Sequence, residues 1–172
     1  MRGRTPNPVI DWVATSREEA ARMLQARLRV IEARATAGDG RDKVVPTPQQ
    51  PAIVVVIDEG SVAFGMGTRG PSSSLDGVTN AQLSRLIKQL TITGRSEVID
   101  PIVAVQRGSV TMVGDGDFKS QFGLRIGLGV AAEADARLIV PDDSRIAVDL
   151  ARLDRPGGGI VSQGKSGRVV PV

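Results

Sequence analysis

The chain has 172 residues, 41% of them hydrophobic, and carries 22 Lys and Arg against 19 Asp and Glu, which gives a formal net charge of +3. This length fits one domain or a large part of one, and so small a charge does not by itself indicate a nucleic-acid partner. Because the chain contains no His and no Cys, serine and cysteine triads, zinc sites of imidazole or thiolate, and disulfide frameworks are excluded. Any chemistry must therefore use Asp, Glu, Lys, Arg and hydroxyl groups.

The first 50 residues predict an amphipathic helix followed by a proline-rich loop. Ser16 and Glu19 have the spacing of a capping box, and the helix is expected to end near Gly38. The apolar positions that recur at helical spacing are Ala20, Met23, Leu24, Leu28, Ile31 and Ala35. We predict two segments, residues 1–50 and residues 51–172. The start lacks the apolar stretch of a signal peptide, and no apolar run approaches the ~20 residues that span a bilayer, so a cytoplasmic location is predicted.

Strands and helices are predicted to alternate in the rest of the chain. Residues 52–57 form a continuous apolar run, typical of a strand that is buried on both faces of a parallel sheet. A second helix is indicated by Thr79 and by apolar residues from Leu83 to Leu90. The further predicted elements are strands at 102–105 and 124–130, short helices near 131–140 and 144–153, and a terminal strand pair at 159–162 and 168–172. This alternation favours an α/β fold with βαβ units.

The first predicted strand ends in Asp58 and Glu59, and an apolar strand followed by these two acids is a Walker B pattern. Such a strand carries the Asp to the carboxyl edge of the sheet, where it can hold Mg²⁺, and the Glu can polarise the water that attacks a γ-phosphate. The alternative is a buried strand that ends in two solvated acids. Gln106 follows the second strand at the equivalent place, so two successive strand ends direct polar groups toward one crevice.

A second pattern resembles a phosphate-binding loop but lacks the necessary context. Residues 159–166 match G-x-x-x-x-G-K-[ST], with Lys165 as the lysine. A working P-loop opens a helix whose amides hold the phosphates, whereas only six residues follow Ser166, and they include β-branched side chains and Pro171. We therefore predict a β-hairpin over residues 160–172 with Lys165 at its tip.

Together these segments resemble the C-terminal half of the motor domain of FtsK/SpoIIIE-type DNA translocases. The matching pieces are residues 53–59, 83–90, 94–95, 102–110, 119–126 and 135–139. The family comprises RecA-like ring ATPases that move double-stranded DNA in chromosome segregation, sporulation and plasmid conjugation. The resemblance implies a RecA-like, mostly parallel sheet flanked by helices, with a C-terminal β-hairpin, in a partial domain that lacks the P-loop segment.

The resemblance also implies roles for individual residues in a motor that uses ATP and Mg²⁺. Asp58 would coordinate the metal, Glu59 would be the catalytic base, and Gln106 would sense the γ-phosphate. Arg125 would act in trans as an arginine finger on the nucleotide of a neighbouring subunit.

Two further basic residues, Arg137 and Lys165, would contact DNA phosphates inside a ring. Phosphate contacts carry no sequence information, as a translocase requires. The implied partners are double-stranded DNA and other motor subunits or the P-loop-bearing segment, in a homo-hexamer when the motor is complete.

The sequence departs from the family pattern around the sensor and at both ends. Val105 stands where the family has Thr, Gly108 where it has Pro, and Gly60 where a bulkier residue is frequent. The P-loop segment and the winged-helix domain have no counterpart in the chain. Two hypotheses therefore remain open. The chain is part of an ATP-driven DNA translocase that does not hydrolyse ATP alone, or it is a non-catalytic remnant that binds DNA or a motor subunit.

Overall fold

A computed structural model of the chain describes residues 10–38, 43–58, 60, 77–105, 120–128, 136–137, 158–163 and 168–171. The chain forms two compact units. The first comprises residues 1–55 and 69–101, and the second comprises residues 56–68 and 102–172. Across the described ranges, no helix is both long enough and apolar enough to cross a membrane.

Two packed helices, α1 (Arg17–Ala37) and α2 (Asn80–Thr93), build the core of the first unit. Both begin with a capping box, the predicted one of Ser16 with Glu19 in α1 and one of Thr79 with Gln82 in α2, and both end at a glycine. The buried face of α1 is rotated slightly from the predicted one, because Ala21 is buried and Ala35 is exposed. The buried apolar side chains are Ala21, Leu24, Leu28 and Ile31 from α1 and Leu83, Leu86, Ile87 and Leu90 from α2.

The connection from α2 to the next strand is a short 3-10 helix, Arg95–Glu97, which is held by one buried arginine. Arg34 of α1 is 7% exposed and donates to the Glu97 carbonyl at 2.5 Å and to the Pro51 carbonyl at 2.7 Å. Gly94 begins this connection and needs the absence of a side chain, because a Cβ there would clash with the carbonyl oxygens of Ile99 and Leu90. The buried guanidinium group of Arg34 thus fixes the position of the 3-10 connection through hydrogen bonds to backbone carbonyl groups.

Strands β1 (Ile53–Ile57) and β2 (Ile99–Val103) pair in parallel. The Ile53 amide donates to the Val98 carbonyl at 3.0 Å, and the Ala104 amide donates to the Ile57 carbonyl at 2.9 Å. Strand β2 therefore starts three residues before the predicted 102–105 and ends earlier. The sequence prediction missed its start because Pro101 interrupts the apolar pattern. In β2, the backbone amides of alternate residues point toward β1. Pro101 lies at one of the positions in between, so its lack of an N–H group removes no hydrogen bond with β1.

The expectation that β1 is buried on both faces is wrong for the described structure. Val55 is 4% exposed, whereas Val54 and Val56 are 56% and 65% exposed. The pattern therefore alternates, and only the face that carries Val55 is packed.

The second unit contains an antiparallel sheet of β3 (Leu124–Leu128), β4 (Gly159–Gln163) and β5 (Arg168–Pro171), in that order. Ile126 pairs with Val161, and Val161 pairs with Val170, so β4 is central. The C-terminal hairpin is confirmed, and the chain is an α/β protein as predicted. Ala136 and Arg137 are helical, while the remainder of the two predicted helices near 131–140 and 144–153 lies outside the described residues.

Candidate functional site

Asp58 lies in a turn directly after β1, at the point where the chain bends around the end of β2. Both backbone groups of Ala104 bind this turn. Its amide donates to the Ile57 carbonyl at 2.9 Å, and its carbonyl accepts from the Gly60 amide at 2.8 Å. These bonds join the carboxyl ends of two parallel strands beside Asp58. This is the strand edge at which open α/β sheets bind ligands. Residue 106 is two positions after Ala104 in the sequence.

Gly60 allows the turn to approach β2 this closely. A Cβ at position 60 would lie 2.7 Å from Val103 Cγ1, 3.0 Å from Val105 Cγ1 and 3.2 Å from the Ala104 carbonyl oxygen. The bulkier residue expected at this position from the family pattern would therefore separate the two strand ends. Gly60 departs from the family pattern, and this departure allows the close contact between the two strand ends.

The donor set at this edge suits a magnesium ion that is shared with phosphates. The described residues contain no group of three or more acidic, His or Cys side chains that could hold a metal alone. Mg²⁺ commonly binds through one or two carboxylates, several waters and the phosphates of its substrate, rather than in an all-protein cage. A single solvent-exposed carboxylate at the end of a strand, such as that of Asp58, fits this mode.

Of the six predicted site residues, Asp58, Arg125 and Arg137 are described, while Glu59, Gln106 and Lys165 lie outside the described residues. Arg125 is the second residue of β3 and is half-buried, with Ser162 of β4 opposite it in the register. Arg137 is exposed and follows the fully buried Ala136. The backbone thus brings together Asp58 and the end of β2.

The segment that matches the P-loop pattern is a strand in its first half. Residues 159–163 form β4, and β5 pairs with it antiparallel, with Gln163 opposite Arg168. A P-loop needs these residues in a loop and needs a helix after its lysine. The chain instead returns as a strand within five residues of Gln163, as the hairpin prediction requires.

Two structural supports were not found from the sequence. In the sequence, Gly60 was noted only as a departure from the family pattern. A glycine that directly follows two acidic residues at a strand end could have indicated a close approach of the backbone to the neighbouring strand. Arg34 lies three residues after Ile31 on the buried face of α1, and this spacing is the only sequence signal of its burial.

Comparison with solved structures finds proteins of similar fold. No protein-family profile and no curated protein sequence matches the chain. Among solved structures, the pCW3 conjugation coupling protein TcpA, in its monomer form with ATPγS, is similar with 19% identity and a TM-score of 0.72. The cytoplasmic domain of the type VII secretion ATPase EccC from Thermomonospora curvata is similar with 18% identity and a TM-score of 0.59.

The match covers nearly all of this chain but a minor part of each of those proteins. It includes 92% of this chain and 44% of TcpA, and 90% of this chain and 17% of EccC. The likeness shows that the chain has the fold of part of these two proteins. The predicted fold class, a partial α/β domain, is confirmed. The described strands form one parallel and two antiparallel pairs, so the expected mostly parallel sheet is not seen among the described residues.

Proposed function

We propose that the chain is the C-terminal part of the motor domain of an ATP-driven double-stranded DNA translocase of the FtsK/SpoIIIE type, acting in the cytoplasm. In this role it supplies the metal-binding and catalytic edge, and a separate P-loop-bearing part holds the nucleotide phosphates. Alone it does not hydrolyse ATP. Plasmid conjugation and chromosome segregation are the processes in which such a motor would act.

The joining of the β1 and β2 ends beside Asp58 is the observation that supports this function best. Two backbone hydrogen bonds of Ala104 hold the two strand ends at one edge of the sheet, and Gly60 packs closely on β2 because it has no side chain. Asp58 there would coordinate Mg²⁺, which when bound polarises the phosphate oxygens. Glu59 would orient and deprotonate the attacking water, and Gln106 would contact the γ-phosphate. The likeness to TcpA, whose structure contains ATPγS, agrees with nucleotide binding by the complete motor.

The remaining roles concern neighbouring subunits and DNA. Arg125 would stabilise charge on the phosphoryl group transferred in the adjacent subunit of a homo-hexamer. Arg137 and the hairpin tip with Lys165 would contact DNA phosphates, so that DNA of any sequence is moved. The antiparallel pairing of β4 and β5 supports the proposed position of Lys165 between two strands.

ATP hydrolysis by a joined motor tests this function. The part of TcpA outside the match would be fused in front of this chain, and ATP turnover would be measured with and without double-stranded DNA. We expect DNA-stimulated turnover that the Glu59→Gln substitution lowers by about 100-fold or more, because the base that activates water is lost. Glu32→Gln, which makes the same change on the exposed face of α1, serves as the matched control and should leave turnover unchanged.

The possible results separate the two hypotheses. A fused protein that binds ATPγS and DNA but shows no turnover would favour the non-catalytic remnant. Equal turnover in Glu59→Gln and Glu32→Gln would contradict the proposed role of the strand edge.

A further inference from the structure

Arg34 of α1 contacts the backbone directly in front of both strands of the β1–β2 pair. Its guanidinium donates at 2.7 Å to the carbonyl of Pro51, two residues before the first residue of β1. It also donates at 2.5 Å to the carbonyl of Glu97, two residues before the first residue of β2. One side chain therefore bridges the amino ends of both strands, at the end of the pair opposite the candidate site.

The two bridged carbonyls belong to partner positions of the strand register. The Ile53 amide donates to the Val98 carbonyl, so in a parallel pair Ile53 lies level with the next residue, Ile99. These are the first residues of the two strands, so Pro51 and Glu97 are also level with each other. A slip of two residues would move the bridged carbonyls about 7 Å apart along the strands, whereas a guanidinium presents its donors in one compact, rigid fork. The bridge therefore fits one register.

The sequence of β1 does not fix this register by itself. All five of its residues are Val or Ile, so a slip of two residues keeps the same kind of side chain on each face. Val55 is the one buried residue of the strand, and a slip would bring Ile53 or Ile57 to its place. The alignment of β1 with β2 therefore depends on contacts outside the strand.

The burial of Arg34 is costly, which indicates a specific role. The residue is 7% exposed, and a buried charge destabilises a fold unless it forms good hydrogen bonds. Its guanidinium donates to the backbone carbonyl of Glu97, while the side-chain oxygen Oε2 of Glu97 is buried without a hydrogen-bond partner among the described residues. The hydrogen bonds of Arg34 thus hold backbone groups, and the setting of a register is the best-attested use of such buried polar groups.

We propose that Arg34 is a positioning residue, which sets the register of β1 and β2 and thereby the level at which their carboxyl ends meet beside Asp58, an inference that rests on the proposed function. In the present register the Ile57 carbonyl accepts from the Ala104 amide, which places the turn with Asp58 beside the end of β2. A slip of two residues would displace the end of β2 by about 7 Å. A displacement of about 1 Å can already lower a catalytic rate by about 100-fold.

Disulfide cross-linking reads the register directly, because the chain contains no Cys. Val56 lies level with Ile102, so Val56→Cys with Ile102→Cys reports the present register. Val56→Cys with Asp100→Cys, or with Ala104→Cys, reports a slip of two residues in one direction or the other. In the present register the Cα atoms of each slipped pair are about 8 Å apart, which is too far for a disulfide.

Each cysteine pair would be oxidised in the chain with Arg34, with Arg34→Lys, and with the control Arg29→Lys, which makes the same change on the exposed side of α1. Lysine keeps the charge but lacks the rigid fork that bridges two carbonyls. We expect the slipped pairs to cross-link about tenfold faster in Arg34→Lys than in the other two chains, because a hydrogen bond from a charged donor is lost. The same cross-linking pattern in all three chains would overturn the proposal.

ATP turnover by the fusion with the part of TcpA outside the match tests the link to catalysis. We expect Arg34→Lys to lower kcat about tenfold or more and to leave KM for ATP within about twofold, because the P-loop-bearing part still holds the nucleotide. Oxidation of the cysteine pair at positions 56 and 102 locks the present register and should restore kcat in Arg34→Lys. An unchanged kcat, or a loss that the lock does not reverse, would contradict a positioning role.

The results separate this role from the proposed function. If the unsubstituted fusion shows no turnover, the proposed function fails, while the cross-linking pattern still decides whether Arg34 sets the register. If that fusion hydrolyses ATP and Arg34→Lys has the same kcat, the function stands without this role. An Arg34→Lys chain that folds only with the cross-link between positions 56 and 102 would support the proposal, and one that does not fold even then would overturn it.

Discussion

Val98 has a left-handed backbone conformation, with φ 57 and ψ 46, immediately before β2. This region is unfavourable for β-branched residues, because Cβ crowds the following carbonyl oxygen. The Val98 carbonyl accepts the Ile53 amide at 3.0 Å, the first hydrogen bond between β1 and β2. The strained residue therefore lies where the strand pair begins. Its hydrogen bond with Ile53 helps to hold Val98 in this unfavourable backbone conformation.

Replacing Val98 with glycine should stabilise the chain. We expect Val98→Gly to raise the free energy of unfolding by about 1 kcal/mol, because relief of the strain exceeds the entropy cost of glycine. The melting temperature should rise by roughly 2–4 °C. Val45→Gly, a control at a residue without positive φ, should give no gain. Thermal unfolding of both variants checks this, and an equal or greater loss in Val98→Gly than in the control would contradict it.

Gly60 should tolerate no side chain. We expect Gly60→Ala to lower the free energy of unfolding by about 1–3 kcal/mol, because the new Cβ would overlap Val103 and crowd Val105. Gly123→Ala is the matched control, since nothing lies within 4 Å of a Cβ there, and it should change stability by no more than about 0.5 kcal/mol. Chemical denaturation measures both. Equal effects would show that the close approach of the turn to β2 does not depend on the glycine.

Among the helices, α1 has a pH-sensitive start. The Glu19 carboxylate accepts from the Thr15 amide at 2.8 Å, the Thr15 hydroxyl at 3.0 Å and the Ser16 amide at 3.3 Å. These bonds, first that of the Thr15 amide and then that of its hydroxyl, lower the pKa of Glu19 below its ordinary value of 4.5. A carboxyl whose pKa is lower in the folded state stabilises that state above its unfolded pKa and loses this effect as pH falls through the folded one.

The capping box should therefore contribute to stability at neutral pH and not in acid. We expect Glu19→Gln to melt at a lower temperature than the natural chain at pH 7, and we expect the difference to shrink as pH falls below about 4.5. Thermal unfolding followed by circular dichroism at several pH values measures it, with Glu32→Gln as control. A difference that is the same at pH 7 and pH 3 would rule out the ionised carboxylate as the cause.

At the scale of the whole molecule, the sequence predicted the elements better than their environment. Both long helices, the parallel strand pair and the C-terminal hairpin were found from capping residues, apolar periodicity and turn residues. The start of β2 was missed because Pro101 interrupts its pattern, although its position on the strand leaves pairing with β1 intact. The burial of β1 was overestimated because a continuous Val-rich run does not distinguish a strand that is packed on both faces from one that is packed on a single face.

The candidate site was predictable in outline from the order of the strands. Two strands that run in parallel bring their carboxyl ends to one edge, so Asp58 and the end of β2 could be placed together from the sequence. The backbone hydrogen bonds of Ala104 and the packing of Gly60 could not, because a glycine is compatible with many backbone conformations. The roles of all six predicted site residues stay predictions: Asp58, Glu59, Gln106, Arg125, Arg137 and Lys165.

ATP turnover by the 172-residue chain is the most direct test of the central claim. That claim is that the chain carries the catalytic strand edge of a motor but no phosphate-binding loop of its own. The purified chain would be assayed with Mg²⁺ and ATP, with and without double-stranded DNA. We predict no turnover above the buffer background in either condition, because residues 159–163 form a strand of a hairpin, whereas a P-loop requires a loop that leads into a helix. Robust turnover that Lys165→Ala abolishes would contradict this, since it would show that the segment works as a P-loop.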